Sequence, residues 1–279
     1  MSTRLRESLT SALGGLRHEP IAKRIRAEVG GDVVVDSTRA VLIWEPRRVV
    51  PSYAVPAGDI RVALSTGTAV DLAGDDVGLR LADVSSRPVL DPQIPFAVHT
   101  APGEAVDVEA GGRTLAGAGF RIADDDLPGY VVLDFDAFDA WWEEDVPTVS
   151  HPRDPFHRID AFPSSRSVRL ELDGEVLAES TRAVLLFESM LPTRFYVPRD
   201  DVRVELVPSP TTSVCAYKGR ASYWSAVVGG RTVPDAGWSY EEPLREAEQV
   251  HSRIAFFDER VDVVLDGVRR ERPITPWST

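Results

Sequence analysis

Apolar and polar residues alternate with a period of two through much of the chain, in short runs separated by glycine, proline and aspartate. In the clearest run, Val168, Leu170 and Leu172 alternate with Arg169 and Glu171, Asp173-Gly174 fits a two-residue turn, and Val176-Leu177 opens a return strand. A hairpin with one buried face has this pattern. Gly111-Gly112, Gly229-Gly230 and Asp266-Gly267 mark further turns of the same kind. Helical spacing is scarce. Leu5, Leu9, Leu13 and Leu16 share one helical face, residues 136–145 suggest a short turn, and 243–254 suggest a helix with Pro243 in its first turn. The expected class is mainly β, built of small antiparallel domains.

The same pattern occurs twice. Residues 24–45 lie over 167–188 without a gap, with 11 identities in 22 positions, and 111–120 lie over 229–238 with six in ten. Between these blocks, Val55-Pro56 and Asp59 through Val62 match Val197-Pro198 and Asp201 through Val204 in order. Collinear blocks of this kind predict two diverged copies of one domain. The expected layout is an N-terminal helix or arm over 1–19, a first β domain over 20–147, a connector over 148–166 and a second β domain over 167–279. The connector is rich in proline, which holds the backbone extended, so His151, Asp154 and His157 within it read as a linker rather than a metal site.

Composition narrows the function classes. With 279 residues the chain has room for two cores, and 44 acidic against 31 basic side chains give a net charge of −13, which disfavours a nucleic-acid partner. The single cysteine excludes an intrachain disulfide and a multi-thiolate zinc site. No stretch approaches the roughly 20 apolar residues of a membrane span, and no signal peptide is legible. These features predict a cytoplasmic protein without a membrane partner.

The chemistry-bearing side chains concentrate in the second copy. Residues 211–225 bring Cys215, Tyr217, Lys218, Tyr223 and Trp224 together, and Trp238 and Tyr240 follow the glycine turn. On adjacent strands these aromatics would wall a pocket, with Lys218 binding an anionic group or, if desolvated, losing its proton near neutral pH. An ammonium near Cys215 would favour its thiolate. The alternative is packing, since a lone cysteine and strand aromatics also serve as core. In the first copy, 99–112 carry neither cysteine, lysine nor an aromatic ring of the Phe, Tyr or Trp type, and Phe120 and Ile122 replace Trp238 and Tyr240. Residues special to the second copy are therefore the functional candidates. Those shared by both, Arg39 with Arg182, Glu45 with Glu188 and Asp59 with Asp201, read as scaffold, with Glu188 also able to act as a general base at a pocket rim.

Several stretches resemble the family known as domain of unknown function 427, in its tandem form: STRAVLLFES (180–189), RFYVPRDDVRVEL (194–206), CAYKGRASYWS (215–225), DAGWSY (235–240) and IAFFDERVDVVLDG (254–267). Similar stretches in the first copy and connector cover 117–145 and 150–174. One departure is Ala216 where the family usually carries proline. The resemblance implies a folded-over antiparallel β-structure of the Mss4-like or β-tent type without zinc cysteines. The family also carries a nucleotidyltransferase-like label, for which the sequence offers neither paired aspartates for magnesium nor a phosphate-cradling glycine loop.

The expectation is a second domain that holds a small polar or anionic molecule. Tyr196, Tyr217, Tyr223, Trp224, Trp238 and Tyr240 would line the site, Arg182 and Lys218 would orient the ligand, and Glu188, Cys215 and Lys218 are the candidate reactive groups. An enzyme, a non-catalytic binding module and a scaffold protein docking through the N-terminal leucines all remain open, as do the cofactor and the oligomeric state.

Overall fold

A computed structural model describes Ser2 and residues 4–69, 78–79, 89–275 and 277–278. The chain divides into two compact units, with the boundary between Asp154 and Pro155. Both are mainly β and antiparallel, as the period-two alternation predicts.

In the first unit, a seven-stranded sheet runs in the order Arg17–Pro20, Val41–Trp44, Ser52–Pro56, Tyr130–Leu133, Arg113–Ile122, Gly103–Ala110 and Ala63–Thr66. A second sheet pairs Ala140–Glu143 with Ile25–Val29, which in turn pairs with Asp32–Ser37. Ile25, Ala27 and Val29 from the second sheet pack in one buried cluster with Leu42, Val55, Val108 and Val131 from the first. Removing these branched aliphatic side chains from water is the main driving force of the unit.

The second unit repeats this strand order. Ile159–Pro163 pairs with Val184–Glu188, which pairs with Arg194–Tyr196. Val197 and Ile254 then exchange backbone hydrogen bonds of 2.8 and 2.9 Å, leading into Ala255–Phe256, Arg231–Ser239, Gly219–Val228 and Glu205–Cys215. The second sheet holds Glu175–Ser180, Val168–Leu172, Asp262–Leu265 and Val268–Arg269. Val168 and Leu170 are fully buried while Arg169 and Glu171 pair with each other outside at 2.6 Å, as the alternation requires. Asp173 and Gly174 both take positive φ, 52° and 85°, the geometry that lets a two-residue turn follow the strand twist.

Three sequence expectations change. The segment 148–166 is not only a connector: Ile159–Pro163 is the first strand of the second unit, at the place Arg17–Pro20 holds in the first. Flanking prolines and the sequence Ile159-Asp160-Ala161-Phe162-Pro163, which does not alternate, hid this strand. The expected helix over 243–254 is only a 3-10 stretch, Arg245–Val250, with non-helical dihedrals at Ala247. The Leu244 N–H just ahead of it donates to the Lys218 carbonyl at 3.1 Å. Residues 136–145 contain a strand, Ala140–Glu143. At the N-terminus a helix forms over Leu5–Ser11, and Leu13 alone of the leucine face is buried, with Leu5 and Leu9 exposed. No described helix is long and apolar enough to cross a membrane.

Candidate functional site

The site of the second unit begins at Glu188, where the Val184–Glu188 strand ends. Its side chain is 6% exposed, and each carboxylate oxygen has a partner: Oε1 meets His157 Nε2 at 3.0 Å and Oε2 accepts from Lys218 Nζ at 2.5 Å. Lys218 sits in the tight turn between Glu205–Cys215 and Gly219–Val228, itself buried to 8% exposure. Gly219 follows at φ 93°, where a Cβ would come within 3.3 Å of the Glu242 carbonyl, so the turn that aims Lys218 inward requires glycine. His157 arrives from the other side, ahead of the Ile159–Pro163 strand, and stacks on Tyr217 with ring centroids 4.3 Å apart.

The electrostatics of this pair are decisive for its chemistry. Burial by itself would raise the Glu188 carboxyl, but the charges and hydrogen bonds of Lys218 and His157 outweigh it and hold the group down to about 2. Burial likewise opposes the charge on Lys218, yet Glu188 outweighs that and lifts the ammonium above its ordinary value. At neutral pH Glu188 is therefore ionised and Lys218 protonated. A protonated lysine is no nucleophile, and so deep a carboxylate is a weak base. The structure places Lys218 and Glu188, both candidate reactive groups, in one buried ion pair.

A layer of aromatic rings adjoins the pair. Tyr196, Trp238, Tyr240 and partly buried Tyr223 pack in one cluster with Leu186, Ala221 and Phe257. Trp238 Nε1 donates to the Tyr196 hydroxyl at 3.1 Å, and the Tyr196 and Tyr240 rings lie 6.4 Å apart. Burial pushes the Tyr196 hydroxyl up to about 12 and the Tyr240 hydroxyl well above its ordinary value. Lys218 acts on Tyr196, and Tyr196, Cys215 and Glu188 act on Tyr240, which places all five groups in one electrostatic neighbourhood. Cys215 is half-buried, and its Sγ accepts from the Tyr217 N–H at 3.5 Å. With Tyr196, Tyr217, Trp238 and Tyr240 all 8% exposed or less, these rings form a core layer under the ion pair rather than the walls of an open cleft.

Two predicted residues lie elsewhere. Trp224 points to the opposite face of its strand from Tyr223, where Nε1 donates to Ser239 Oγ at 2.9 Å and Arg199 covers the ring at 4.3 Å. Side chains of a strand alternate, so neighbours in sequence cannot share a wall. Arg182 pairs with Asp201 at 2.5 Å, and Ser180 donates to the same carboxylate at 2.6 Å. In the first unit Arg39, Ser37 and Asp59 make the same bonds at 2.5 and 2.6 Å. Arg182 is thus held in a surface ion pair that has its counterpart in the first unit.

The structure also shows what replaces the cluster in the first unit. His99 and Thr100 stand the same number of residues before the Gly111-Gly112 turn as Tyr217 and Lys218 do before Gly229-Gly230. His99 Nδ1 meets Glu45 Oε1 at 2.7 Å and its ring stacks on Phe120 at 3.9 Å. The backbone N–H groups of Thr100 and Ala101 donate to Oε2 at 2.6 and 2.9 Å. Backbone amides thus do for Glu45 what the Lys218 ammonium does for Glu188.

Sequence reasoning missed two parts. His157 was read as linker, because nothing local signals that a histidine among prolines will reach a carboxylate 31 positions away. Arg194, on the same face of its strand as Tyr196, donates to both oxygens of Glu259 at 2.8 and 2.6 Å, and its guanidinium lies 5.6 Å from the Trp238 ring centroid and 5.7 Å from that of Trp277. Thr275 also donates to Glu259. Asp258, 3.9 Å from Arg194 and 5% exposed, is pushed up to about 7 by burial. The run IAFFDER already held both acids, but only the fold buries them.

Residues 160–267 match the model of a family described as a domain of unknown function (DUF427), labelled NTP_transf_9. The second unit carries a domain of that family. The matched span of this DUF427 domain includes Glu188, Lys218, Cys215, Tyr196 and Tyr240, while His157 precedes it. No curated protein matches the chain. Among the described residues, no group of three or more histidine, cysteine, aspartate or glutamate side chains is arranged to hold a metal ion.

Proposed function

We propose that the second unit is a binding domain for a small polar molecule, held at the Lys218 turn, and that it acts by binding rather than by covalent catalysis. The observation that carries this reading is the Lys218 ammonium. It has three N–H donors, its side chain is 10% exposed, and Glu188 is its single hydrogen-bond partner among the described residues. A buried donor without an acceptor costs about 1–3 kcal/mol, more when charged, so such groups are normally satisfied by a ligand or by water. The ion pair argues against covalent chemistry, because it holds both groups in their unreactive protonation states. The nucleotidyltransferase label has no supporting residue pattern and enters as a name alone.

We read the chain as two copies of one domain. The support is the common strand order and the matching Ser-Asp-Arg bonds. On this reading the first unit, its glutamate closed by backbone amides, is a supporting copy.

Native mass spectrometry of the freshly purified full chain tests the proposal. A small molecule retained by the wild type should be lost from Tyr240→Phe. The Tyr240 hydroxyl has no hydrogen-bond partner among the described residues, so a purely structural role predicts no change in retention. Wild-type protein that carries nothing, or a variant that retains the molecule as well as the wild type, overturns the reading.

A further inference from the structure

Around Glu188 both carboxylate oxygens have partners, while several donors have none among the described residues. One carboxylate oxygen faces His157 and the other Lys218. Lys218 has two N–H groups beyond the one given to Glu188. The Tyr196 oxygen accepts from Trp238 at 3.1 Å, and its own O–H has no acceptor among the described residues. The Tyr240 O–H is in the same state. Tyr196 and Tyr240 are 1% and 4% exposed. Both hydroxyls stay protonated throughout the neutral range and can only be satisfied by an acceptor.

We infer that the ligand of this site is a small oxyanion, a carboxylate or phosphate group, received by the Lys218 ammonium and the Tyr196 and Tyr240 hydroxyls. The inference rests on the binding function proposed above and names the chemical class of its ligand. A neutral amide complements the site only in part, since it brings no charge to the Lys218 ammonium, and hydrogen bonds between charged partners are the stronger ones.

The experiment is thermal unfolding of the full chain in sodium acetate, inorganic phosphate or sodium chloride at matched ionic strength and pH, and in acetamide at equal concentration. Tyr240→Phe, measured in parallel, supplies the baseline for general salt stabilisation. Acetate or phosphate should raise the wild-type Tm by at least about 3 °C over that baseline. Whichever anion gives the larger shift identifies the group. Acetamide stabilising as well as acetate, a variant response equal to the wild-type response, or no response to either anion overturns the inference. If mass spectrometry nevertheless finds a molecule that Tyr240→Phe loses, the binding function stands and only the oxyanion falls.

Discussion

Replacing Lys218 with methionine keeps the length of the side chain and removes its charge. Glu188 is then left ionised at 6% exposure with His157 as its remaining partner. Breaking one side of a buried ion pair costs about 3–5 kcal/mol, because the surviving charge has lost its compensation. The titration of Glu188 gives an independent scale. Its carboxyl is held at about 2 against an ordinary 4.5, which corresponds to about 3 kcal/mol of stability from its partners. The sign follows from the depressed value: this contribution is complete above pH 4.5 and disappears as pH falls from there through about 2. For a unit of this size, 3–5 kcal/mol lowers Tm by roughly 10–20 °C. Calorimetry of the full chain should show one transition moving by that amount, and Lys218→Met with Glu188→Gln should recover most of the loss, since a neutral amide no longer needs the ammonium. A drop under about 3 °C would refute the ion-pair account. So would a double variant no more stable than the single one.

Other expected outcomes follow from the same structure. Asp258 has the opposite sign to Glu188: burial raises it from 3.8 to about 7, so stability is full below pH 3.8 and falls by about 4 kcal/mol as pH rises from there through about 7. Asp258→Asn should flatten that decline in urea midpoints measured between pH 4 and pH 8, and an unchanged slope would show that another group causes it. Arg182→Ala should leave ligand retention intact and move Tm by no more than about 3 °C, as should Arg39→Ala, because both guanidinium groups sit at the surface; loss of ligand from Arg182→Ala would return that residue to the site. Glu45→Gln should destabilise the first unit by about 2–4 kcal/mol, because one buried amide cannot accept from His99, Thr100 and Ala101 as a carboxylate does, and a calorimetric scan in which the second transition moves instead would contradict it.

The mainly β class was decided by local pattern. Period-two alternation and Asp-Gly or Gly-Gly turns act over a few residues, so the hairpin of Val168–Leu172 and Glu175–Ser180 could be read directly from the chain. Comparing the two halves also marked the segment around Lys218, because a difference between related stretches is visible without any structure. Lys218, Tyr217, Cys215, Tyr196 and Tyr240 do meet around Glu188.

Tertiary structure alone decided the rest. Trp224 lies close to Lys218 in sequence and Arg182 offers a second cation, but strand alternation takes the one away and a surface pair with Asp201 engages the other. His157 joins because an edge strand without an alternating pattern brings it onto Glu188. The protonation states of Glu188 and Lys218 depend on burial and on a 2.5 Å approach between residues 30 positions apart. Composition suggested a reactive lysine, whereas desolvation and Coulomb attraction, which exist only once the chain is folded, make it half of an ion pair.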